Sequence, residues 1–251
     1  MVIPIPSNRE ALTILLTIKV EWAIEVGIKV FDPKYSNTHY FRRKVSLKKG
    51  QQRNIEIPLP VSAKQLILQV YDKRNPNDSG ITITDFSVEK MTPPKIWSTP
   101  ERQRFMDFSV QFAQKAGYTP TGFYDSPTQE FLFQYLPAIV DSFGNELITP
   151  ARTHRKMPRV QISQRLFRTF TIPIRVAILA HEGCHWFLNT RSQKRADLCG
   201  IAYYLAYGFP KIEAVYAATK IFSMYPELVG KAQVERTKDI IAFIDNYTLS
   251  Q

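Results

Sequence analysis

The chain has 251 residues, 44% of them hydrophobic and 22% charged. That supports one large domain or two modest ones with buried cores, and two cysteines are too few for a disulfide scaffold. Net charge is +11, which favours a polyanionic neighbour or a basic, solvated surface. No uncharged apolar run reaches about 18 residues, so no membrane span is expected.

The opening stretch MVIPIPSNRE lacks the basic start and apolar core of a signal peptide. With so few cysteines the simplest setting is reducing, with a single bridge left open. From there to about residue 91 the chain reads as short strands. ALTILLTIKV, EWAIEVGIKV, NIEIPLP, KQLILQVYD and ITITDFSVEK are β-branched and partly alternating, and FDPKYSN, KKGQQ and NPNDSG separate them as turns. Five or six such strands predict an all-β sandwich or barrel over 1–91. Arg42, Arg43, Lys44, Lys48 and Lys49 form a first basic cluster.

MTPPKIWSTP then interrupts the alternation, and its prolines predict a stiff linker over 92–98. ERQRFMDFSVQFAQKAG carries a helical apolar stripe, with Ser98 or Thr99 as cap and Gly117 as its end. Strand character returns in QEFLFQYLP, NELITPARTH and PRVQISQRLF. Arg152, Arg155, Lys156 and Arg159 form a second basic cluster there. After Phe170 the pattern is helical: RVAILAHEGCHWFLN, SQKRADLCGIAYYLAYG, KIEAVYAATKIF and VGKAQVERTKDIIAFIDNY. Residues 99–251 thus predict an α+β domain.

Within the first of these helices lies HEGCH, residues 181–185. On a helix His181 and His185 share a face with Cβ atoms about 6 Å apart. Their imidazoles can then reach one ion at about 2.0–2.1 Å. Glu182 lies about 100° round the helix. It is placed to act as general base on a zinc-activated water. After the bend at Asn189, Ser192 caps a second helix, which must pack back on the first. Asp197 then falls level with His185 and is the expected third ligand. The alternative makes Asp197 an acceptor that orients a histidine N–H, with Gln193 or Glu213 nearer the metal. Cys184 and Cys199 are expected to be core thiols, not ligands.

ILAHEGCHWFLN resembles the active-site helix of the zincin metallopeptidases, and RADLCGIAYYLAYGFP is similar to the helix that supplies their third ligand. In the thermolysin-like branch a Glu stands four residues before an Asp; here Gln193 occupies the Glu place and Asp197 the Asp place. The resemblance covers roughly residues 99–225. It implies zinc as cofactor, a protein substrate, and a mixed sheet above the helix whose edge strand pairs with extended substrate. ITPARTHRKMPRVQIS is the expected source of that edge. His154, or a tyrosine among Tyr203, Tyr204 and Tyr207, is the expected oxyanion stabiliser.

A β-rich leading domain on a short-gap zincin is also similar to proteins of tailed bacteriophages. That resemblance implies residence in the bacterial cytoplasm or a virion, with the N-terminal domain docked to an assembly partner. The leading expectation is a zinc-dependent metalloendopeptidase. The alternative is a structural or adaptor protein of a phage virion that retains a zincin-like domain. Nucleic-acid binding through the basic clusters is a third reading that lacks a recognition motif.

Overall fold

A computed structural model of the chain describes residues 1–75, 80–92, 98–154, 156–211, 213–215 and 230–247. Most of the expected linker, much of the expected helix KIEAVYAATKIF, and Arg155 lie outside them. The chain divides into two compact units, Met1–Pro93 and Pro94–Gln251. Together they make a mixed α+β protein.

The first unit contains seven strands: β1 (Val2–Ile5), β2 (Leu12–Val20), β3 (Ile24–Phe31), β4 (His39–Leu47), β5 (Gln52–Leu59), β6 (Leu66–Asp72) and β7 (Ile81–Lys90). They form a four-stranded sheet in the order β1-β6-β3-β4 and a three-stranded sheet in the order β5-β2-β7, all antiparallel. Alternation decides which side is buried. Leu12, Ile14, Leu16, Ile18 and Val20 of β2 turn inward while the residues between them do not. The sequence reading omitted β1 and β4. β4 carries the run Arg42-Arg43-Lys44, and its exposed charges mask the inward Tyr40, Phe41 and Leu47.

The second unit opens with α1 (Pro100–Lys115), whose cap Thr99 accepts from the Arg102 N–H. Strands β8 (Gly122–Asp125), β9 (Leu132–Leu136), β10 (Ala151–Thr153) and β11 (Arg159–Ser163) follow. Their order is β10-β11-β9-β8, with β9 and β11 parallel and the other pairs antiparallel, so β10 is an edge. The segment expected as strand to Phe167 instead turns into a short helix, α2 (Gln164–Phe167). Then come α3 (Ile172–Phe187), α4 (Gln193–Ala206) and α5 (Lys231–Asn246).

Aromatic packing fixes α1 against the sheet and against α3. Phe108 stacks on Phe133 at 4.3 Å between centroids, and Phe105 meets Phe131, Phe133 and Phe187 edge-on. Phe105 also fills the space beside Gly183 that a Cβ would need. Along the start of α3, Arg175 is fully buried. Its guanidinium donates to the carbonyls of Ala113, Phe167 and Arg168, at 3.0, 2.9 and 3.3 Å. A cation therefore ties the first turn of α3 to the C-terminal ends of α1 and α2, where the helix dipoles favour positive charge.

The approach of α4 to α3 depends on Gly200. A Cβ there would lie 2.8 Å from the His181 backbone nitrogen and 2.9 Å from its Cα. Because those atoms are backbone, the helices would have to separate. Gly200→Ala is expected to destabilise the protein by about 1–3 kcal/mol, as overpacking does. Chemical denaturation checks this, and an unchanged midpoint would mean that α4 shifts without cost.

Candidate active site

His181 and His185 lie one turn apart on α3, and their Nε2 atoms face each other at 3.1 Å. The other ring nitrogens are engaged. His181 Nδ1 is 2.9 Å from Asp197 Oδ1, and His185 Nδ1 is 2.8 Å from the Thr190 carbonyl oxygen. A carbonyl and a carboxylate can only accept, so each Nδ1 carries a proton. The two Nε2 lone pairs are thereby turned toward one space. At 3.1 Å two such lone pairs repel unless a shared proton or a cation relieves them.

Asp197 is buried and doubly held. Arg236 of α5 donates to its two carboxylate oxygens, from Nε at 2.7 Å and from Nη2 at 2.9 Å. The expectation that Asp197 is a third ligand is corrected by this geometry. Its carboxylate is spent on His181 Nδ1 and Arg236, while the nitrogen that faces His185 is Nε2. Asp197 instead orients His181, which is the alternative the spacing had left open. Among the described residues, no group of three or more His, Cys, Asp or Glu side chains is arranged to hold one ion.

Burial works against charge at both members of this contact. For His181 that cost is outweighed by the bond to Asp197 and by the charges of Glu182 and Asp197, so its pKa lies above the ordinary value. For Asp197 the cost is outweighed by the bonds to His181 and Arg236, and its pKa lies below the ordinary value. The sign of the linkage follows. Asp197 contributes stability above its unfolded value of about 3.9, lost as pH falls through its lower folded value. His181 contributes below its unfolded value of about 6.5, lost as pH rises through its higher folded value. The metal-free protein is therefore expected to draw most from this contact between about pH 4 and 6.5. Asp197→Asn should flatten that part of a profile of denaturation midpoint against pH. A variant profile parallel to wild type would count against the pair.

Glu182 is held from the edge strand. Its Oε2 accepts the Thr153 backbone N–H at 2.7 Å. The Thr153 hydroxyl lies 2.7 Å from both Oε2 and the Glu182 carbonyl oxygen. Strand alternation explains why that N–H is available. His154 N–H donates to Arg159 and Ser163 N–H to Pro150, so the neighbouring Thr153 turns its N–H away from β11. Sequence reasoning placed the edge strand here but missed Thr153 as the anchor of Glu182.

Two hollows flank the pair. One, about 210 Å³, is walled by Ile148, Ala177, Ile178, Ile201 and Ile240, with His181 and Glu182 at its polar end. The other is a cleft of about 1020 Å³ bordered by Glu182, His185, Trp186, Arg152, Lys156 and Arg191. Gln193 lines both, as Glu182 does.

The remaining expectations divide. Glu213 is buried 3.4 Å from Thr171, at the start of α3. That is ten residues from His181, or about 15 Å along the helix, so Glu213 is not a ligand. Tyr204 is fully buried, stacked on Phe209, and donates to the Pro210 carbonyl, which makes it a core residue and not an oxyanion stabiliser. Tyr203 accepts from Arg102, and Tyr207 donates to Asp107. His154 does border the cleft. Its Nδ1 accepts from the Lys156 N–H at 3.2 Å, which leaves the ring proton on Nε2 as a donor.

The cysteines require a second correction. Cys184 and Cys199 are not free thiols but a disulfide between α3 and α4, with Cα atoms 6.0 Å apart. Cys199 sits beside Gly200, the residue of the close contact between these two helices, and Cys184 beside Gly183, which faces Phe105 of α1. The expectation of core thiols left unasked whether the two sulfurs meet. Arg236 had no sequence signal, because nothing local links α5 to α4.

No protein-family model matches the chain, and no curated protein matches its sequence.

Proposed function

We propose that this chain is a zinc-dependent endopeptidase. The observation that carries the reading is the pair of Nε2 lone pairs, each backed by its own Nδ1 acceptor and facing one space at 3.1 Å. That donor set fits a borderline-soft divalent ion such as zinc. His181 and His185 would hold it, with water in the remaining places. Bound there, zinc lowers the pKa of water and polarises a carbonyl.

The chain's own groups do the rest. Glu182, anchored through one oxygen by Thr153, takes a proton from the attacking water as its oxygen bonds to the peptide carbonyl carbon. The same carboxyl returns that proton to the departing amine as the C–N bond breaks. His154 Nε2–H, at the cleft border, is the donor proposed for the oxyanion. β10 offers an extended peptide the part of its outer edge that Glu182 and Thr149 do not occupy. Asp197 and Arg236 keep His181 in the required tautomer.

The N-terminal unit is proposed as the module that docks the enzyme to a protein assembly. A Cys184–Cys199 disulfide favours a setting outside a reducing cytoplasm, and a virion is such a setting. Among the described residues no helix is long and apolar enough to cross a membrane.

Metal analysis of the purified chain tests the reading. Wild type is expected to hold about one zinc per chain, and His185→Ala to lose at least about tenfold in affinity. Equal, negligible metal in both proteins would leave a shared proton as the bridge and remove the peptidase.

A further inference from the structure

The large cleft has a charge pattern that hydrolysis alone does not require. Arg152, Lys156 and Arg191 all border it and are exposed. Among the described residues, the only carboxylate on its wall is Glu182, to which the proposed chemistry assigns a role. None of the three cations takes part in an ion pair among the described residues. Arg152 is also held in place. Its Nε and Nη2 donate to Gln161 Oε1 at 3.0 and 2.6 Å, and Gln161 in turn donates to Gln134 at 3.0 Å. An amide oxygen orients the guanidinium without neutralising it. Arg191 follows Asn189, whose φ of 41° bends the chain back between α3 and α4 and sets the following residues at the cleft.

From this geometry we infer that the cleft selects an acidic stretch of peptide, with Arg152, Lys156 and Arg191 as the specificity-determining residues. The inference rests on the peptidase reading for what happens next, but not for binding. An extended strand alternates its side chains. A peptide laid along β10 therefore presents every second carboxylate toward this wall, while its backbone is offered to the strand edge. In a partly enclosed cleft such charge complementarity raises both encounter rate and selectivity. A nucleic acid is also anionic, but it would leave the strand edge unused, and the cleft holds a single tryptophan where stacking platforms use several aromatic side chains.

The experiment uses full-length, zinc-loaded Glu182→Gln protein, which is expected to bind without cleaving. Its ligands are three end-blocked dodecapeptides with the same apolar residues. One carries Asp and Glu, one carries Asn and Gln in their place, and one carries Lys. The acidic peptide is expected to bind at least about tenfold more tightly than its neutral isostere. That margin should shrink as salt rises. Adding Lys156→Glu and Arg191→Glu should erase the margin while leaving zinc content and neutral-peptide binding unchanged. Equal binding of acidic and neutral peptides overturns the inference. So does a margin that survives the double charge reversal, because the zinc would then be its source. Displacement of the acidic peptide by an equimolar single-stranded oligonucleotide also overturns it, in favour of nucleic acid. If the margin is found but wild type cleaves none of the three peptides, the peptidase reading fails and the cleft assignment stands.

Discussion

Glu182→Gln is expected to abolish peptide hydrolysis while leaving zinc binding intact. The amide is nearly isosteric and keeps an oxygen that can accept from the Thr153 N–H, now 2.7 Å from Oε2. It cannot take up a proton from water. Positioned general bases contribute about 10²–10⁴-fold, and the loss in kcat should fall in that range. KM should change little, because the role proposed for Glu182 is to move a proton during the reaction and not to hold the bound peptide. The check is digestion of an unstructured protein by zinc-loaded wild type and variant, alongside metal analysis of both. Equal cleavage by the two would remove Glu182 from the chemistry. Loss of metal together with activity would show instead that the carboxylate supports the site.

Arg175→Met is expected to produce the largest loss of stability of any single change considered. Methionine fills comparable volume, so the effect isolates the three carbonyls. Ala113, Phe167 and Arg168 would lose the donors that now lie at 3.0, 2.9 and 3.3 Å. The Phe167 carbonyl keeps the Phe170 N–H at 3.2 Å, but those of Ala113 and Arg168 lose their donor. Each unsatisfied buried acceptor costs about 1–3 kcal/mol, so the sum should reach about 2 kcal/mol or more. Removing the charge gives back part of its burial cost, which sets the lower end of that estimate. Burial pulls the Arg175 pKa down to about 10, so the group is still charged at neutral pH. Denaturant titration measures the loss. A change below about 1 kcal/mol would mean that water enters and satisfies the carbonyls.

Arg175 also shows what made parts of this protein legible. A lone arginine in TIPIRVAILAHEGCHWF was as visible as the histidines, but only the histidines carry a spacing with a known consequence. Two imidazoles four residues apart must share a helix face, and a carboxylate between them must sit to one side. The shared face follows from that alone, while the turning of both Nε2 atoms toward each other depends on the acceptors at each Nδ1, Asp197 and the Thr190 carbonyl. Arg175 has no such rule, because its three acceptors come from α1 and α2. Asp197 shows how far the rule reaches. Its height along α4, counted from the bend at Asn189, pointed to His185, whereas the histidine it meets is His181, one turn earlier on α3. Counting residues gives a height but not which ring nitrogen is approached, so ligand and orienting acceptor were indistinguishable.

Periodicity, caps and local spacing thus determined the β-rich first part, the helices α3, α4 and α5 and the identity of the paired histidines. Each depends on neighbours within one or two turns of chain. The tertiary fold alone decided that Arg236 reaches Asp197, that Thr153 anchors Glu182, that Cys184 and Cys199 join, and that three cations border one cleft. Those contacts join elements separated by up to dozens of residues. They are set by how packed surfaces orient whole helices and strands, which no local pattern encodes.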